Sequence, residues 1–179
     1  MTDEIPAADI PVDSPPAERI AAAIARFGEE EVVKRSIALL AGFNVGEEFL
    51  LYVGGTHAQG ILDGAPPLYW PEVWGARALL TVWSDDALVA VRAGLANQAW
   101  RVREMSVRVV ATRALEVADD IRPLLTDDNP RVRAAAARSL GEVGVAEDRE
   151  LISQLFRDPE IDVRRAAEQA TKRLAARFA

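Results

Sequence analysis

Apolar residues return at helical spacing through the second half of the chain. In three successive segments, apolar or small side chains recur at positions i, i+3 and i+7, which places them on one face of an α-helix. These segments begin at Val102, Val132 and Val163, each of which is followed by an arginine. The steps between them are 30 and 31 residues, and a weaker copy lies 29 residues earlier at Val73. The pattern therefore indicates an internal repeat.

A second apolar pattern precedes each of the last three copies. Its aligned positions are Val91 with Leu95, Ile121 with Leu125, and Ile152 with Phe156. The two members of each pair lie four residues apart, as neighbouring side chains on a helix do. Each repeat is therefore predicted to be two helices joined by a tight turn. Because one such pair cannot bury its apolar face alone, successive pairs are expected to stack.

The chain before the repeats carries a different pattern. Four of the ten prolines lie in the first sixteen residues, so residues 1–16 are predicted to be a disordered, proline-rich leader. Helical periodicity over residues 17–27 and 29–41 predicts two helices that cap the open end of the array. Residues 47–53 can add a short third helix. The repeat array itself is predicted to run over residues 70–179.

A glycine-rich insertion completes the capping region, which spans residues 17–69. Four glycines in eleven residues and two prolines oppose a helix there, so a loop is predicted. The insertion holds the only histidine, His57, and also Asp63, with Trp70 at its end. These three residues are candidates for binding a partner. A packed structural loop is the favoured interpretation of the segment itself, and a phosphate-binding loop and a catalytic His57–Asp63 pair are further alternatives without a matching motif.

A polar residue occupies the same place in each turn of the repeats. It lies six residues before an arginine in three copies, which pair Asn97 with Arg103, Asp127 with Arg133, and Asp158 with Arg164. A short carboxylate can cap the next helix by accepting hydrogen bonds from its amides. The arginine can reach the carboxylate of its own or a neighbouring turn. Stacked copies are thus predicted to form a structural Asp–Arg ladder.

These features together resemble a known repeat. The pattern Leu-x-Asp-x-x-x-x-Val-Arg-x-Ala-Ala over residues 125–136 is similar to short HEAT repeats of the phycobilin-lyase type. Residues 155–167 match it as well, and residues 86–115 match more loosely. The resemblance implies an all-α fold, an α-solenoid of stacked helical hairpins preceded by capping helices. It says little about activity, since such repeats serve unrelated functions.

Composition excludes several kinds of chemistry. Half of the 179 residues are hydrophobic, which is enough for a buried core. The chain has no cysteine and one histidine, which excludes disulfides, thiolate sites and a histidine-rich metal centre, and no cofactor is predicted. The net charge of −7 argues against a general nucleic-acid binder. That charge is uneven, however, because residues 1–100 carry −8 and residues 101–179 carry +1.

Basic and aromatic residues on the second helices are further candidates for binding a partner. Arg101 and Arg108 lie seven residues apart, and Arg131 and Arg138 occupy the same register one repeat later. Stacking would align four guanidinium groups that can grip a carboxylate-rich or phosphorylated partner. Trp100 stands at a helix start beside them and is the tryptophan best placed for an exposed contact. The alternative is a solvated face paired with nearby carboxylates such as Glu142.

The favoured interpretation is a non-catalytic scaffold or adaptor that binds a protein or peptide through its helical surface. One alternative is a helical-repeat enzyme, either DNA glycosylase-like, which the net charge opposes, or bilin lyase-like, which only the repeat supports. Another is a self-assembling subunit in which Phe178 contacts a second copy, so that both a monomer and a homodimer are open. No catalytic residue is assigned. With no signal peptide pattern and no long apolar run, we expect a cytoplasmic protein without membrane contact.

Overall fold

The computed structural model describes residues 10–179, and every regular element in that range is helical. The all-α fold class predicted from the repeats is therefore confirmed. The chain divides into two compact units, the first of which ends at Ser84 while the second begins at Asp85. No helix within residues 10–179 is both long and apolar enough to cross a membrane.

The first unit contains five helices in its described residues. They are α1 (Pro16–Phe27), α2 (Glu29–Leu40), α3 (Glu47–Gly54), α4 (Thr56–Leu62) and α5 (Trp70–Ala78). The bounds of α1 and α2 differ by no more than one residue from the two helices that the apolar periodicity predicts. Helix α1 packs against α2 and α3 through a face that buries Ile20 and Ala23.

Helices α2 and α5 approach closely where α5 has a glycine, Gly75, facing α2. A Cβ on Gly75 would be 2.7 Å from both the carbonyl oxygen of Ser36 and the amide nitrogen of Leu40. Any larger residue would push the two backbones apart. Residues 70–84 lie in the first compact unit, and the repeat array over residues 70–179 stays a prediction.

Residues 10–15, which the prolines assign to the predicted disordered leader, contact the helices that follow them. The side chain of Arg19, which is only 6% exposed, donates hydrogen bonds to the carbonyl oxygen of Ser14 and, at 2.9 Å, to that of Tyr52. Burial lowers the pKa of the Arg19 guanidinium. Because this buried cation ties the segment to the end of α3, residues 10–15 are part of the folded unit. Residues 1–9 lie outside the described part of the chain.

Helix α4 lies where the sequence predicts a glycine-rich loop, so that prediction is wrong. The helix begins after Gly55, whose φ of 62° lies outside the helical region and separates α3 from α4. Gly60 lies inside α4 although glycine has a low helix propensity. The same helix is held against the unit by Ala58, which is fully buried. Gly54 has another role, because a Cβ there would lie 2.5 Å from the ring of Trp74. These glycines mark a helix break and a close approach.

The second unit is a stack of three helical pairs. Its helices are α6 (Ala87–Leu95), α7 (Trp100–Arg113), α8 (Ala118–Ile121), α9 (Pro130–Val143), α10 (Asp148–Ser153) and α11 (Ile161–Arg177). Helices α8 and α10 continue into 3₁₀ turns over Arg122–Thr126 and Gln154–Arg157. The second helices of the pairs pack in order, α7 against α9 and α9 against α11. This is the α-solenoid of helical hairpins that the repeat predicts.

The repeated valines are the centre of this stack. Val102, Val132 and Val163 have no exposed surface. Small residues keep the helices close, since a Cβ on Gly141 of α9 would lie 3.1 Å from the Cβ of Ala170 of α11. The apolar column read from the sequence is therefore the seam along which the repeats pack.

The last helical pair departs from the predicted alignment at one position. Leu155 is buried and Phe156 is exposed, although the sequence aligned Phe156 with the buried positions of the earlier copies. The buried side chain therefore lies three residues after Ile152, whereas in the preceding pair it lies four residues after Ile121, at Leu125. Further along, Leu174 is fully buried, whereas Phe178 is half exposed.

Candidate functional site

Two repeated arginines, Arg103 and Arg133, bridge neighbouring turns of the stack. Arg103 forms a two-point ion pair with Asp127, with Nε 2.7 Å from Oδ2 and Nη2 2.9 Å from Oδ1. Arg133 pairs in the same way with Asp158, at 2.8 and 2.9 Å. Each arginine therefore reaches the carboxylate of the next turn along the chain, and not the polar side chain six residues before it.

Each arginine contacts its own turn through the backbone instead. The Nη1 groups of Arg103, Arg133 and Arg164 donate to the carbonyl oxygens of Asn97, Asp127 and Asp158, at 2.8, 2.9 and 2.6 Å. One guanidinium thus joins the carbonyl of one turn to the carboxylate of the next. Arg164 ends the series, because the described residues contain no later turn to supply a carboxylate.

The turn carboxylates shape the backbone but do not cap the helices as the sequence predicts. Asp127 accepts a hydrogen bond at 2.9 Å from the amide of Asn129, and Asp158 accepts one at 2.9 Å from the amide of Glu160. The residue that caps α9 is Asn129, whose side chain accepts from the amide of Arg131 at 3.0 Å. The aspartates act two residues earlier, where they fix the turn that precedes the helix.

Both aspartates are held in their ionised form. Hydrogen bonds from Arg133 outweigh burial at Asp158 and lower the pKa of that carboxyl. At Asp127, burial opposes ionisation, but the hydrogen bonds from Arg103 and from the amide of Asn129 prevail, and its pKa is also lowered. Each aspartate side chain is only 5% exposed. The ladder charges are therefore satisfied inside the fold and are not offered to a ligand.

A second set of arginines on α7 and α9 is exposed. We call it the arginine ridge, and it consists of Arg101, Arg108, Arg131 and Arg138. Arg101 is half-buried and the other three are exposed. In the described part of the chain, no carboxylate pairs with Arg108, Arg131 or Arg138. Glu142, an expected partner, pairs with Arg173 instead.

Trp100 joins the two helices of the ridge at one end. Its side chain is half-buried at the first residue of α7. The guanidinium of Arg101 lies 4.4 Å from the centre of a Trp100 ring, and that of Arg131 lies 5.9 Å from it. Cations at such distances are attracted to the π-face of an indole. The ridge thus begins with two cations ordered on one aromatic side chain.

A hollow of mixed charge lies between α9 and α11 beside the ridge. It has a volume of about 330 Å³, and it is lined by Arg131 and Arg138 together with Glu104, Glu160 and Asp162. No ion pair closes it among the residues described. The lining of this hollow therefore combines cationic and anionic groups.

A second hollow, of about 400 Å³, is mainly cationic. Arg138, Lys172 and Arg173 line it with the carboxylate Glu142, which already pairs with Arg173. By register alone the ridge ends at α9, because Gln169 replaces the arginine in α11. Lys172 lies three residues beyond Gln169 and restores a cation on nearly the same face, a helical spacing that the sequence could have revealed.

The candidates of the first unit do not form a catalytic pair. His57 is exposed on the first turn of α4, and its ring lies edge-on to Trp70 and Trp74, with centroid distances of 4.7 and 5.2 Å. Asp63 follows the end of α4 and accepts a hydrogen bond from Gln59 at 3.1 Å. Six helical residues turn the chain by about 240°. His57 and Asp63 therefore leave different faces of the helix, and no hydrogen bond joins them among the described residues.

The chain belongs to the HEAT-repeat family, because the family model for HEAT repeats matches residues 76–172, more than half of its length. A comparison with curated proteins finds none that matches. HEAT repeats commonly serve as scaffolds for protein interactions. The repeat itself does not specify a partner.

Proposed function

We propose that this protein is a non-catalytic binding module that holds an acidic or phosphorylated segment of a partner protein along the arginine ridge. The observation that supports the proposal is the contrast between two sets of arginines on the same helices. Arg103 and Arg133 are paired inside the fold, whereas Arg108, Arg131 and Arg138 are exposed without a carboxylate partner in the described residues. The positive charges of the second set are therefore free of ion pairs within the described residues and are accessible to an anionic partner.

The chemistry of the ridge favours an anionic partner. A guanidinium presents donors in a planar fork that matches the two oxygens of a carboxylate or phosphate. Arg138 and Lys172 share the second hollow, so one anionic group there can contact two cations. At the other end, Trp100 offers an aromatic surface of the kind that is enriched at the centres of protein interfaces.

The ridge is suited to binding rather than to a chemical step. Arginine keeps its proton at any physiological pH, so these groups provide fixed charge and hydrogen-bond donors but no proton transfer. Fixed charges at an interface mainly select the partner and speed its association. We therefore propose recognition without turnover, and we expect the affinity to fall as the salt concentration rises.

The test is the binding of short fluorescent peptides, measured by anisotropy at low and physiological salt. An array of glutamate-rich and phosphoserine peptides is compared with peptides of the same sequence in which glutamine and serine replace the anions. We expect a subset of the anionic peptides to bind, and the double variant Arg131→Glu, Arg138→Glu to lose that binding by at least about tenfold. A protein that binds none of the anionic peptides would contradict the proposal.

A matched control separates the ridge from net charge. Arg149 and Arg157 are exposed arginines that are not part of the ridge. They lie in the last helical pair, on α10 and on the 3₁₀ turn after it. The variant Arg149→Glu, Arg157→Glu changes the net charge by the same amount, and we expect it to bind the peptides as wild type does. Equal loss in both variants, or tighter binding of duplex DNA than of every peptide in a gel-shift assay at low salt, would overturn the proposal.

A further inference from the structure

An open apolar groove in the first unit is separate from the arginine ridge. It has a volume of about 370 Å³ and is formed by the end of α2, the loop to α3, the end of α4 and the start of α5. Its walls include Phe43, Leu50, Leu62 and Leu68. None of these side chains takes part in the ladder or the ridge, so the groove is a distinct feature.

Two large apolar side chains that line this groove are exposed to solvent. Phe43 is 68% exposed and Leu68 is 66% exposed. Among the described residues of the first unit, these are the exposed large apolar side chains, and both line the same groove. Single exposed apolar residues are ordinary, but two that converge on one concavity are typical of an interaction site.

The backbone of Leu68 supports the same interpretation. Its φ of 48° lies in the left-handed region, which is unfavourable for a branched side chain. A glycine or asparagine would adopt this conformation more easily. Since two thirds of the Leu68 side chain is exposed, burial inside the unit does not compensate for the strain. Strain held at an exposed apolar residue is commonly found at binding sites.

The charge around the groove indicates the sign of its partner. Glu47 and Glu72 line the groove, and neither forms an ion pair with another described residue. Residues 10–84 as a whole contain nine acidic and five basic side chains. A partner that places a lysine or arginine beside the apolar contact would therefore be favoured over an acidic one.

We infer that the groove binds a segment of a partner protein that inserts bulky apolar side chains between Phe43 and Leu68 and carries basic residues opposite Glu47 and Glu72. A small molecule fits less well, because small-molecule sites bury most of their ligand, whereas Phe43 and Leu68, which line this groove, are themselves mostly exposed. A protein segment can cover those walls and continue beyond them. Apolar contacts then supply affinity, and the carboxylates select the charge of the partner.

The probes are three synthetic peptides that share one backbone length. The first has leucines at helical spacing and lysines between them, the second keeps the leucines but replaces lysine with glutamate, and the third keeps the lysines but replaces leucine with serine. Binding to the full chain is measured by fluorescence anisotropy at physiological salt. We expect the first peptide to bind at least about tenfold more tightly than either of the others.

The variants are chosen so that they leave the core untouched. Phe43→Ser with Leu68→Asn removes both exposed walls, and asparagine tolerates the left-handed backbone, so the melting temperature is expected to stay unchanged or to rise. We expect this variant to lose the binding of the first peptide by at least about tenfold. Glu47→Gln with Glu72→Gln is expected to lose the preference for lysine over glutamate. Phe178→Ser, which removes an exposed ring in the second unit, is the control and is expected to bind normally.

Several results would contradict the inference. It fails if the acidic peptide binds as tightly as the basic one, if the Phe43→Ser, Leu68→Asn variant binds as wild type does, or if sedimentation shows a dimer that this variant abolishes, since a second copy would then occupy the groove. The ridge variant Arg131→Glu, Arg138→Glu is expected to bind the basic peptide normally. A failure of this inference is therefore distinct from a failure of the proposed ridge function.

Discussion

Arg131 and Arg133 lie two residues apart in α9 and have opposite surroundings. Arg133 has a side chain 13% exposed and is paired at two points with Asp158. Arg131 is exposed, and its guanidinium lies over the ring of Trp100. Successive helical residues are turned by about 100°, so two steps carry a side chain from the packed edge of the stack to its surface. Residue type alone therefore does not distinguish an arginine paired inside the fold from one exposed on the surface.

One repeat earlier, Arg103 likewise pairs with Asp127, whereas the guanidinium of the half-buried Arg101 lies over the ring of Trp100. Because the repeat length is constant to within one residue, each position is copied onto the neighbouring helix at nearly the same height. A buried position becomes a column or a ladder, and an exposed position becomes a ridge. The repeat thus builds a stable seam and an ordered surface from the same two helices, and the comparison between them can be tested by substitution.

The largest effect is expected where a charge is placed on the buried face. Ala166 of α11 has no exposed surface, so Ala166→Asp buries a carboxylate without a partner. We expect it to lower the free energy of unfolding by about 4 kcal/mol, which would unfold a marginal domain. Ala176→Asp makes the same change at an exposed position of the same helix and should have little effect. Urea denaturation followed by circular dichroism measures both, and equal losses would show that the two faces are not distinct.

The next largest effect compares the two arginines of α9 directly. Arg133→Met leaves the carboxylate of Asp158 buried without its cation, and we expect a loss of about 3 kcal/mol in the free energy of unfolding. Arg131→Met is expected to change it by less than about 0.5 kcal/mol, because that side chain is exposed. Denaturation curves of the two single variants make this comparison. If Arg131→Met were the more damaging, the assignment of the two arginines would be reversed.

Acid should weaken the ladder but not the ridge. The pKa values of Asp127 and Asp158 are lowered in the folded chain, so both carboxylates contribute stability above the unfolded value of about 3.9. That contribution is lost as the pH falls through the lower folded values. We expect the drop in unfolding free energy between neutral and acidic pH to be smaller in Asp127→Asn, Asp158→Asn than in wild type. The Arg131→Glu, Arg138→Glu variant should lose as much unfolding free energy on acidification as wild type does. The account is refuted if the loss is of wild-type size in Asp127→Asn, Asp158→Asn and smaller in Arg131→Glu, Arg138→Glu.

The smallest effect concerns the aromatic end of the ridge. Trp100→Leu removes the π-face under Arg101 and Arg131 while keeping an apolar side chain. We expect a loss of about 0.5 kcal/mol in stability and a modest loss of anionic peptide binding. Trp100→Phe keeps a ring and should lose less on both measures. Equal behaviour of the leucine and phenylalanine variants would mean that cation–π contacts do not order this end of the ridge.

The repeat and its seam could be predicted from the sequence because they rest on regular spacing. The positions of Val102, Val132 and Val163 fix the helix faces, and the arginine that follows each valine is placed with them. The partner of each arginine could not be predicted in the same way. A side chain six residues after a carboxylate can reach that turn or the next one, and only the stacking distance between helices decides between them.

The glycine-rich insertion and the groove show why the rest could not be predicted. Gly60 opposes a helix by propensity, yet tertiary packing of Ala58 holds the segment in α4. The groove depends on Phe43 and Leu68, which lie 25 residues apart in different loops and share no sequence pattern. Features that depend on long-range packing leave no periodic signal in a single sequence.

The central claim, that ladder arginines hold the fold while ridge arginines bind the partner, is tested most directly by peptide-induced stabilisation. Thermal or urea unfolding is measured for wild type, Arg133→Met and Arg131→Glu, Arg138→Glu, each without and with the tightest anionic peptide. A ligand at one hundred times its Kd should raise the free energy of unfolding by about 2.7 kcal/mol. We predict that Arg133→Met begins less stable but keeps this increment, while Arg131→Glu, Arg138→Glu begins near wild-type stability and loses it. If the two variants lose the increment alike, or if Arg133→Met alone loses it, the claim is contradicted.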